Sequence, residues 1–251
     1  MKIFRIPLSK DFLLKIESTE RAFLLLAGHM QNELNSVHKV FAFCLQNSST
    51  KPVSSIEKLA NGMQAMIYAR ILAGKLHEAW KALGKSFFST KLSQRIESRL
   101  HPIARDALKQ IRAYFKKNNA IFDVRNAFAF HYSPDEFRTH WEEAANESPF
   151  EIVLGGNVSN NLHLASELVV HIALLKAFNS TDREEALRKF FDEVQSAASS
   201  FTAFLEGAIL AILEEQLGAG LATLGREEEI FPTCGYNQVA IPFFTIPFES
   251  G

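Results

Sequence analysis

The stretch FDVRNAFAFHYS, residues 122–133, sets four polar side chains among alanines and phenylalanines: Arg125, Asn126, His131 and Tyr132. When RNA is cleaved by its own 2′-hydroxyl, one group must accept that proton and another must protonate the leaving 5′-oxygen. Histidine titrates near neutral pH and can serve in either proton transfer. Arginine stays charged and offers a fixed fork of donors to phosphate oxygens. These residue types therefore indicate phosphodiester cleavage that needs no metal.

The pattern Arg125-Asn126-x4-His131, followed by Tyr132, resembles the signature of the HEPN superfamily. The resemblance spans roughly residues 19–200. It implies an all-α helical bundle and a metal-independent endoribonuclease without a cofactor, of the type found among stress toxins and phage-defence effectors. His131 would be the general acid or base, and Arg125 would bind the scissile phosphate. Asn126 would orient these groups, and Tyr132 would flank the phosphate or stack on a base.

The spacing within this motif bears on assembly. On an ideal helix, residues six apart point about 120° away from each other, so Arg125 and His131 of one chain would face one phosphate poorly. A two-fold dimer would instead gather two arginines and two histidines in one cleft. The resemblance to the HEPN superfamily implies the same arrangement. We therefore expect a homodimer with a composite site.

Other interpretations of the stretch stay open. Its polar groups also fit a structural helix in which they satisfy buried carbonyls or form a salt bridge, for instance between Asp123 and Arg125. The alternation in AFAF also fits a strand. A motif helix can be retained without activity, so the competing function is a non-catalytic RNA- or protein-binding module. A toxin silenced by a cognate antitoxin is a third possibility.

Charge is concentrated just upstream of the motif. Between Lys81 and Lys117 ten lysines and arginines stand against two acids, whereas the whole chain has a net charge of −1. We expect Arg112, Lys116 and Lys117 to hold the RNA backbone. Arg112 and Lys116 are four residues apart and would share a helix face. The alternative is that the block is a set of solvated helix faces.

The elements that must position these residues are helical by periodicity and punctuation. Apolar spacing predicts a helix over residues 19–46, and a capping box of Ser54 with Glu57 opens a second that runs to Leu83. Further helix starts are predicted at Pro102 and at Ser133-Pro134.

The second half of the chain has one interruption. FEIVLGGNVSNNLHLAS predicts a short hairpin or an ordered loop. Helices are then expected over residues 164–178 and from a capping box of Thr181 with Glu184 to near Gly218. The fold class is therefore an all-α, up-and-down bundle with a short insertion. Residues 1–225 would form one domain, and residues 226–251, rich in aromatics and prolines, an extended tail on the body or on a partner.

Other chemistries find little support. The cysteines are two and isolated, which fits a reducing compartment, and we expect a cytoplasmic protein without a membrane span. His29 with Glu33 and Glu167 with His171 are each four apart, but neither has a second ligand pair. We expect no metal and no other cofactor.

Overall fold

The computed structural model describes residues 2–47, 54–125, 133–144, 150–217, 225–231, 238–239 and 241–245. Most of these residues are helical, so the predicted all-α class is confirmed. The elements in chain order are β1 (Lys2–Arg5), α1 (Lys10–Lys15), α2 (Ser18–Asn47), α3 (Ser55–Leu83), a π-helical turn (Gly84–Phe88), α4 (Leu92–Glu97), α5 (Pro102–Phe115), α6 (Ala120–Val124), α7 (Pro134–Glu142), β2 (Ile152–Val153), a 3₁₀ turn (Val158–Asn160), β3 (Leu162–His163), α8 (Leu164–Ala177), α9 (Arg183–Leu217) and β4 (Arg226–Glu229).

The chain divides into two compact units, each assembled from three separate segments. Unit 1 contains Met1–Ser36, Lys75–Lys117 and Ser196–Gly235, and unit 2 contains Val37–Gly74, Asn118–Gln195 and Tyr236–Gly251. The long helices α2, α3 and α9 each contribute residues to both units. The sequence predicts one domain over residues 1–225, because it contains no internal repeat, low-complexity run or polar linker.

Unit 1 has an aromatic core. Phe87, which is fully buried, lies 5.0 Å from Phe23 and 5.4 Å from Phe204 between ring centroids. Trp80 stacks on Phe115 at 5.1 Å and joins α3 to α5. Rings of this size bury large apolar areas, and offset or edge-to-face pairs add about 0.5–1.5 kcal/mol each. The π-helical turn is therefore part of the core, since it carries Phe87.

A short ribbon closes unit 1. Strand β1 pairs antiparallel with β4, and Lys2 and Arg5 form ion pairs with Glu227 and Glu228 across it. The predicted tail begins with this strand at Arg226, whereas the N-terminal strand opposite it is not predicted from sequence. A run of four residues, KIFR, with two apolar residues between two basic ones, is too short a pattern to indicate a strand without its partner.

Unit 2 packs α6, α7 and β2 against α8. The predicted hairpin is present as β2 paired with β3. Part of the C-terminal tail lies on this unit: the Asn160 side chain donates to the carbonyl of Thr245 at 2.7 Å and accepts from its N–H at 3.0 Å. Nearby, Phe243 and Phe244 pack on a small apolar cluster in α3, β3 and α8, made of Ala60, Met63, Leu162 and Leu164.

Several helix boundaries are as predicted. The Glu57 carboxylate accepts from the N–H of Ser54 at 2.8 Å, and the Ser54 hydroxyl accepts from the N–H of Glu57 at 3.3 Å, which is the expected capping box. Pro102 opens α5. The predicted capping box of Thr181 with Glu184 is wrong. Asp182 caps α9 instead, because its carboxylate accepts from the N–H groups of Glu184 and Glu185.

Helix α9 is long and apolar. By length and composition alone it would suffice to cross a membrane, and half of its most apolar window is buried inside the protein. The core helix of a globular protein passes the same test. The expectation of a protein without a membrane span therefore stays an expectation.

The approach of α5 to α9 in unit 1 leaves no room for a side chain at Gly207. A Cβ atom there would lie 2.2 Å from Cβ of Ala104. Replacing Gly207 by alanine should therefore lower the free energy of unfolding, by about 1–3 kcal/mol for overpacking, despite the better helix propensity of alanine. Urea denaturation measures the change.

The matched control is Gly28→Ala in α2, where an added Cβ meets nothing within 4 Å. This variant should gain up to about 1 kcal/mol from helix propensity alone. Stabilisation by both substitutions would contradict the close packing of the two helices at Gly207.

Candidate functional site

Arg125 ends a short helix in unit 2. The Asn119 side chain caps α6 by accepting from the N–H of Phe122 at 3.0 Å. The backbone N–H of Arg125 bonds the carbonyls of Ile121 and Phe122, so the chain is still helical at that point. Ile121 and Val124 are buried and anchor the helix. The half-buried Arg125 is therefore carried by a fixed element that packs on α8.

The other predicted catalytic residues, Asn126, His131 and Tyr132, lie outside the described residues. So does the AFAF alternation, for which a strand was the competing interpretation. Their predicted roles stay predictions. Of the motif, only the position of Arg125 is defined.

Asp123 bears on the proposal that Arg125 is held in a structural salt bridge. Partial burial raises the pKa of the Asp123 carboxyl. The structural interpretation of Arg125, in which its guanidinium forms a salt bridge, stays open.

Arg112, predicted to hold the RNA backbone, is engaged within unit 1. Its guanidinium makes a two-pronged ion pair with Glu97, at 2.5 and 2.8 Å, and lies 4.8 Å from the ring centroid of Phe88. A bidentate carboxylate uses the same donors that a phosphate would need. The position of Arg112 therefore indicates that it joins α4 to α5 and packs on the π-helical turn.

Lys116 and Lys117 follow directly at the end of α5. Both side chains are exposed, and Lys116 makes no ion pair with any residue that the structure describes. Much of the rest of the basic block is paired in the same unit: Arg95 with Glu20, Arg99 with Glu215 and Lys109 with Asp106. The local charge excess seen in the sequence is thus partly neutralised by acids that arrive from α2 and α9.

Unit 2 contains a buried polar cluster that sequence reasoning considered only as a metal site. Glu167 of α8 pairs with Arg70 of α3 at 3.0 Å. One turn on, His171 is 4 % exposed and its Nδ1 has no hydrogen-bond partner among the described residues. Burial, reinforced by the charges of Arg183 and Arg70, lowers the pKa of His171 to about 3. Glu167 and His171 do share a helix face, but the partner of the glutamate is an arginine.

Among the described residues no three His, Cys, Asp or Glu side chains are grouped so that they could hold a metal ion. Cys44 is buried in α2, and burial raises the pKa of its thiol to about 11. A thiol with such a pKa is a poor nucleophile at neutral pH.

Comparisons with known proteins add no family. No protein-family model matches the chain, and neither a curated protein nor a solved structure matches it.

The buried His171 should make stability depend on pH. The imidazole is neutral in the folded protein, while in the unfolded chain it takes up a proton near its ordinary pKa of 6.5. The neutral imidazole therefore makes its full contribution to the free energy of unfolding above pH 6.5. That contribution is lost as the pH falls towards 3. Between pH 6.5 and 3 the free energy of unfolding should fall less steeply in His171→Gln than in the wild type. The difference in slope should be up to about 1.4 kcal/mol per pH unit. Urea denaturation at a series of pH values measures the slope.

His29, which is 68 % exposed in its side chain, provides the control. His29→Gln should leave the pH slope of stability unchanged. An unchanged slope in His171→Gln would contradict the burial of a neutral imidazole.

The two exposed lysines at the end of α5 make a second prediction. If Lys116 and Lys117 contact phosphates, replacing both by alanine should flatten the slope of log affinity against log salt for single-stranded RNA. The expected change is about 1.4, or about 0.7 for each phosphate that a lysine no longer neutralises. Fluorescence anisotropy at several salt concentrations provides the measurement.

Two comparisons sharpen this test. The pair Lys10→Ala/Lys15→Ala removes two exposed lysines from α1 of the same unit and should leave the slope as it is. Arg112→Ala should lower stability without changing the slope, because its guanidinium already binds Glu97. Equal slopes in the wild type and in Lys116→Ala/Lys117→Ala would mean that the two lysines are only a solvated surface.

Proposed function

We propose that this protein is a metal-independent endoribonuclease. The 2′-oxygen of the substrate attacks the adjacent phosphorus and the bond from phosphorus to the 5′-oxygen breaks. His131 transfers a proton as general base or general acid, and Arg125 binds the phosphate oxygens as negative charge develops on them. Asn126 orients the reacting groups, and Tyr132 flanks the phosphate or stacks on a base.

The observation that carries the proposal is the position of Arg125. It stands at the C-terminal end of α6, on a helix capped by Asn119 and anchored by buried Ile121 and Val124. The backbone of Arg125 is therefore held on a packed element, and a fixed backbone limits where its guanidinium can reach, which favours electrostatic stabilisation of a transition state. The rest of the motif follows directly in the chain.

We propose that the active form is a homodimer. The spacing of Arg125 and His131 favours a site completed by a second chain. Unit 2 also exposes large apolar side chains, and exposed apolar surface of this type often marks a contact with another chain. They lie on α7 and around the β2–β3 hairpin: Trp141, Phe150, Ile152, Leu154 and Val158. Trp141 and Phe150 already pack on each other, with ring centroids 4.5 Å apart.

The proposed cellular role rests on the resemblance of the Arg125–His131 motif to the HEPN superfamily. That resemblance implies a cytoplasmic effector of stress or phage defence. Its activity would then need restraint by a cognate antitoxin or another protein partner. A non-catalytic module that binds RNA or protein is the alternative.

Substitution of the motif tests the reaction. His131→Ala and Arg125→Ala should each reduce cleavage of single-stranded RNA by at least about 100-fold, the usual contribution of a general acid or base. Cleavage by the wild type should continue in the presence of a chelator, and the products should end in a 2′,3′-cyclic phosphate and a 5′-hydroxyl. Gel electrophoresis and mass spectrometry of the products provide the readout.

The control is Arg138→Ala, which removes an arginine that is 70 % exposed in its side chain and paired one turn back with Asp135. It should retain full activity. If the site is shared between two chains, mixing inactive Arg125→Ala and His131→Ala proteins should restore part of the activity. A dependence on divalent metal, or full activity of either motif variant, would overturn the proposed mechanism.

A further inference from the structure

A cleft of about 730 Å³ opens in unit 1, beside the N-terminal end of α2 and along α4. Its size falls within the range of about 300–1,000 Å³ typical of small-molecule sites. The lining comes from two parts of the chain: Glu17 and Thr19, then Thr90, Lys91, Leu92, Gln94 and Arg95. Nothing in the proposed ribonuclease reaction uses these residues.

One face of α4 supplies donors to the cleft. Lys91, Gln94 and Arg95 are spaced i, i+3 and i+4, so their side chains lie on the same side of the helix. The side chains of Lys91 and Gln94 make no hydrogen bond or ion pair with the part of the chain that the structure describes, and the same holds for Nη1 of Arg95. An ammonium, an amide and a guanidinium thus belong to residues that line one open space.

The guanidinium of Arg95 is fixed from behind. Its Nη2 pairs with the carboxylate of Glu20, a side chain that is 0 % exposed. Glu20 also lies 3.7 Å from Arg99, which pairs with Glu215 of α9. This alternating set of two carboxylates and two guanidiniums holds Arg95 at the cleft wall without filling its outward side. One wall of the cleft is therefore supported by ion pairs behind it, as precise binding requires.

Glu17 is the acid among the described residues that line the cleft, and its charge also interacts with that of Arg95. Both of its carboxylate oxygens accept from the start of α2, from the N–H of Thr19 at 3.0 Å and that of Glu20 at 3.1 Å. These bonds lower the pKa of Glu17, with the bond from Thr19 as the largest cause. The charge of Glu17 is thus taken up by the helix N-terminus. The charge of Arg95 is balanced by Glu20, which leaves Lys91 as the lining cation without a counterion among the described residues.

We propose that this cleft binds the phosphate group of a small phosphomonoester. A phosphate dianion has three terminal oxygens and can accept from Lys91, Gln94 and Arg95 together, whereas a carboxylate offers two oxygens in one plane. The volume leaves space for an organic group beyond the phosphate, with Leu92 as an apolar contact. The site is independent of the ribonuclease motif, and its occupancy does not need that motif to be active.

Isothermal titration calorimetry at low salt tests the assignment, with inorganic phosphate, adenosine 5′-monophosphate and adenosine as probes. Adenosine 5′-monophosphate should bind, inorganic phosphate should bind more weakly, and adenosine should not bind. Lys91→Glu should weaken binding of the monophosphate by about tenfold or more, as expected for loss of a charge-assisted hydrogen bond. Gln94→Ala should weaken it by about threefold.

Lys85→Glu is the matched control, because it makes the same charge change at an exposed lysine that does not line the cleft. It should bind the monophosphate like the wild type. Lys91 is exposed and stands at the start of α4, where a glutamate is compatible with the helix dipole, so Lys91→Glu should melt at the wild-type temperature. Equal weakening by the two variants would mean a general charge effect and would overturn the site.

A second arm separates a small molecule from the end of a nucleic acid strand. A 5′-phosphorylated deoxyribonucleotide tetramer cannot be cleaved through a 2′-hydroxyl, so it stays intact during the titration. The same tetramer without its 5′-phosphate is the reference for binding through the internal phosphates. Displacement of this tetramer by adenosine 5′-monophosphate is the expected result. Binding of the tetramer without binding of the monophosphate would overturn the small-molecule assignment. Absence of binding by phosphate and monophosphate at millimolar concentration would overturn the site itself.

Discussion

A buried carboxylate organises much of unit 1. Glu20 has no exposed surface, so its charge is tolerable only if cations reach it. These cations are Arg95, on α4, and Arg99, in the turn that follows α4. Arg99 in turn pairs with Glu215 of α9. The N-terminal part of α2, the short helix α4 and the C-terminal part of α9 are therefore held in one arrangement. Removal of either partner would leave a buried charge, a cost of about 3–5 kcal/mol in other proteins.

The same set of ion pairs holds α4 in place along the cleft. This helix has six residues and is too short to be stable alone, so the ion pairs make it a fixed wall of the cleft. Glu97 on α4 holds Arg112 of α5 in turn. The basic block is thus divided in two: most arginines are structural, and lysines such as Lys91 and Lys116 are left to meet anions. Arginine is suited to the first role because its fork binds a carboxylate in two places, whereas a lysine ammonium is a mobile point charge.

In unit 2 the polar residues are arranged differently. Arg70 and Glu167 form a nearly buried pair, and His171 stays neutral beside them. Helix α6, which ends at Arg125, packs on the same helix α8 that carries Glu167 and His171. A substrate phosphate at Arg125 would thus bind to an element supported by a rigid, low-dielectric neighbour. In such surroundings an arginine interacts more strongly with a phosphate than it does in water.

Local sequence alone determined the all-α class, the capping box of Ser54 with Glu57, the start of α5 at Pro102 and the hairpin around Gly155-Gly156. These features depend on contacts a few residues apart, which the sequence displays directly. Tertiary structure decided what depends on distant residues: β1 needs β4, and Arg112 is engaged because Glu97 folds back on it. The position of Arg95 at the cleft also depends on tertiary structure. Buried Glu20 can fix Arg95 only after α2, α4 and α9 have packed together. Charge counted along the chain misses such pairs, because their partners are far apart in sequence, as Arg99 and Glu215 are.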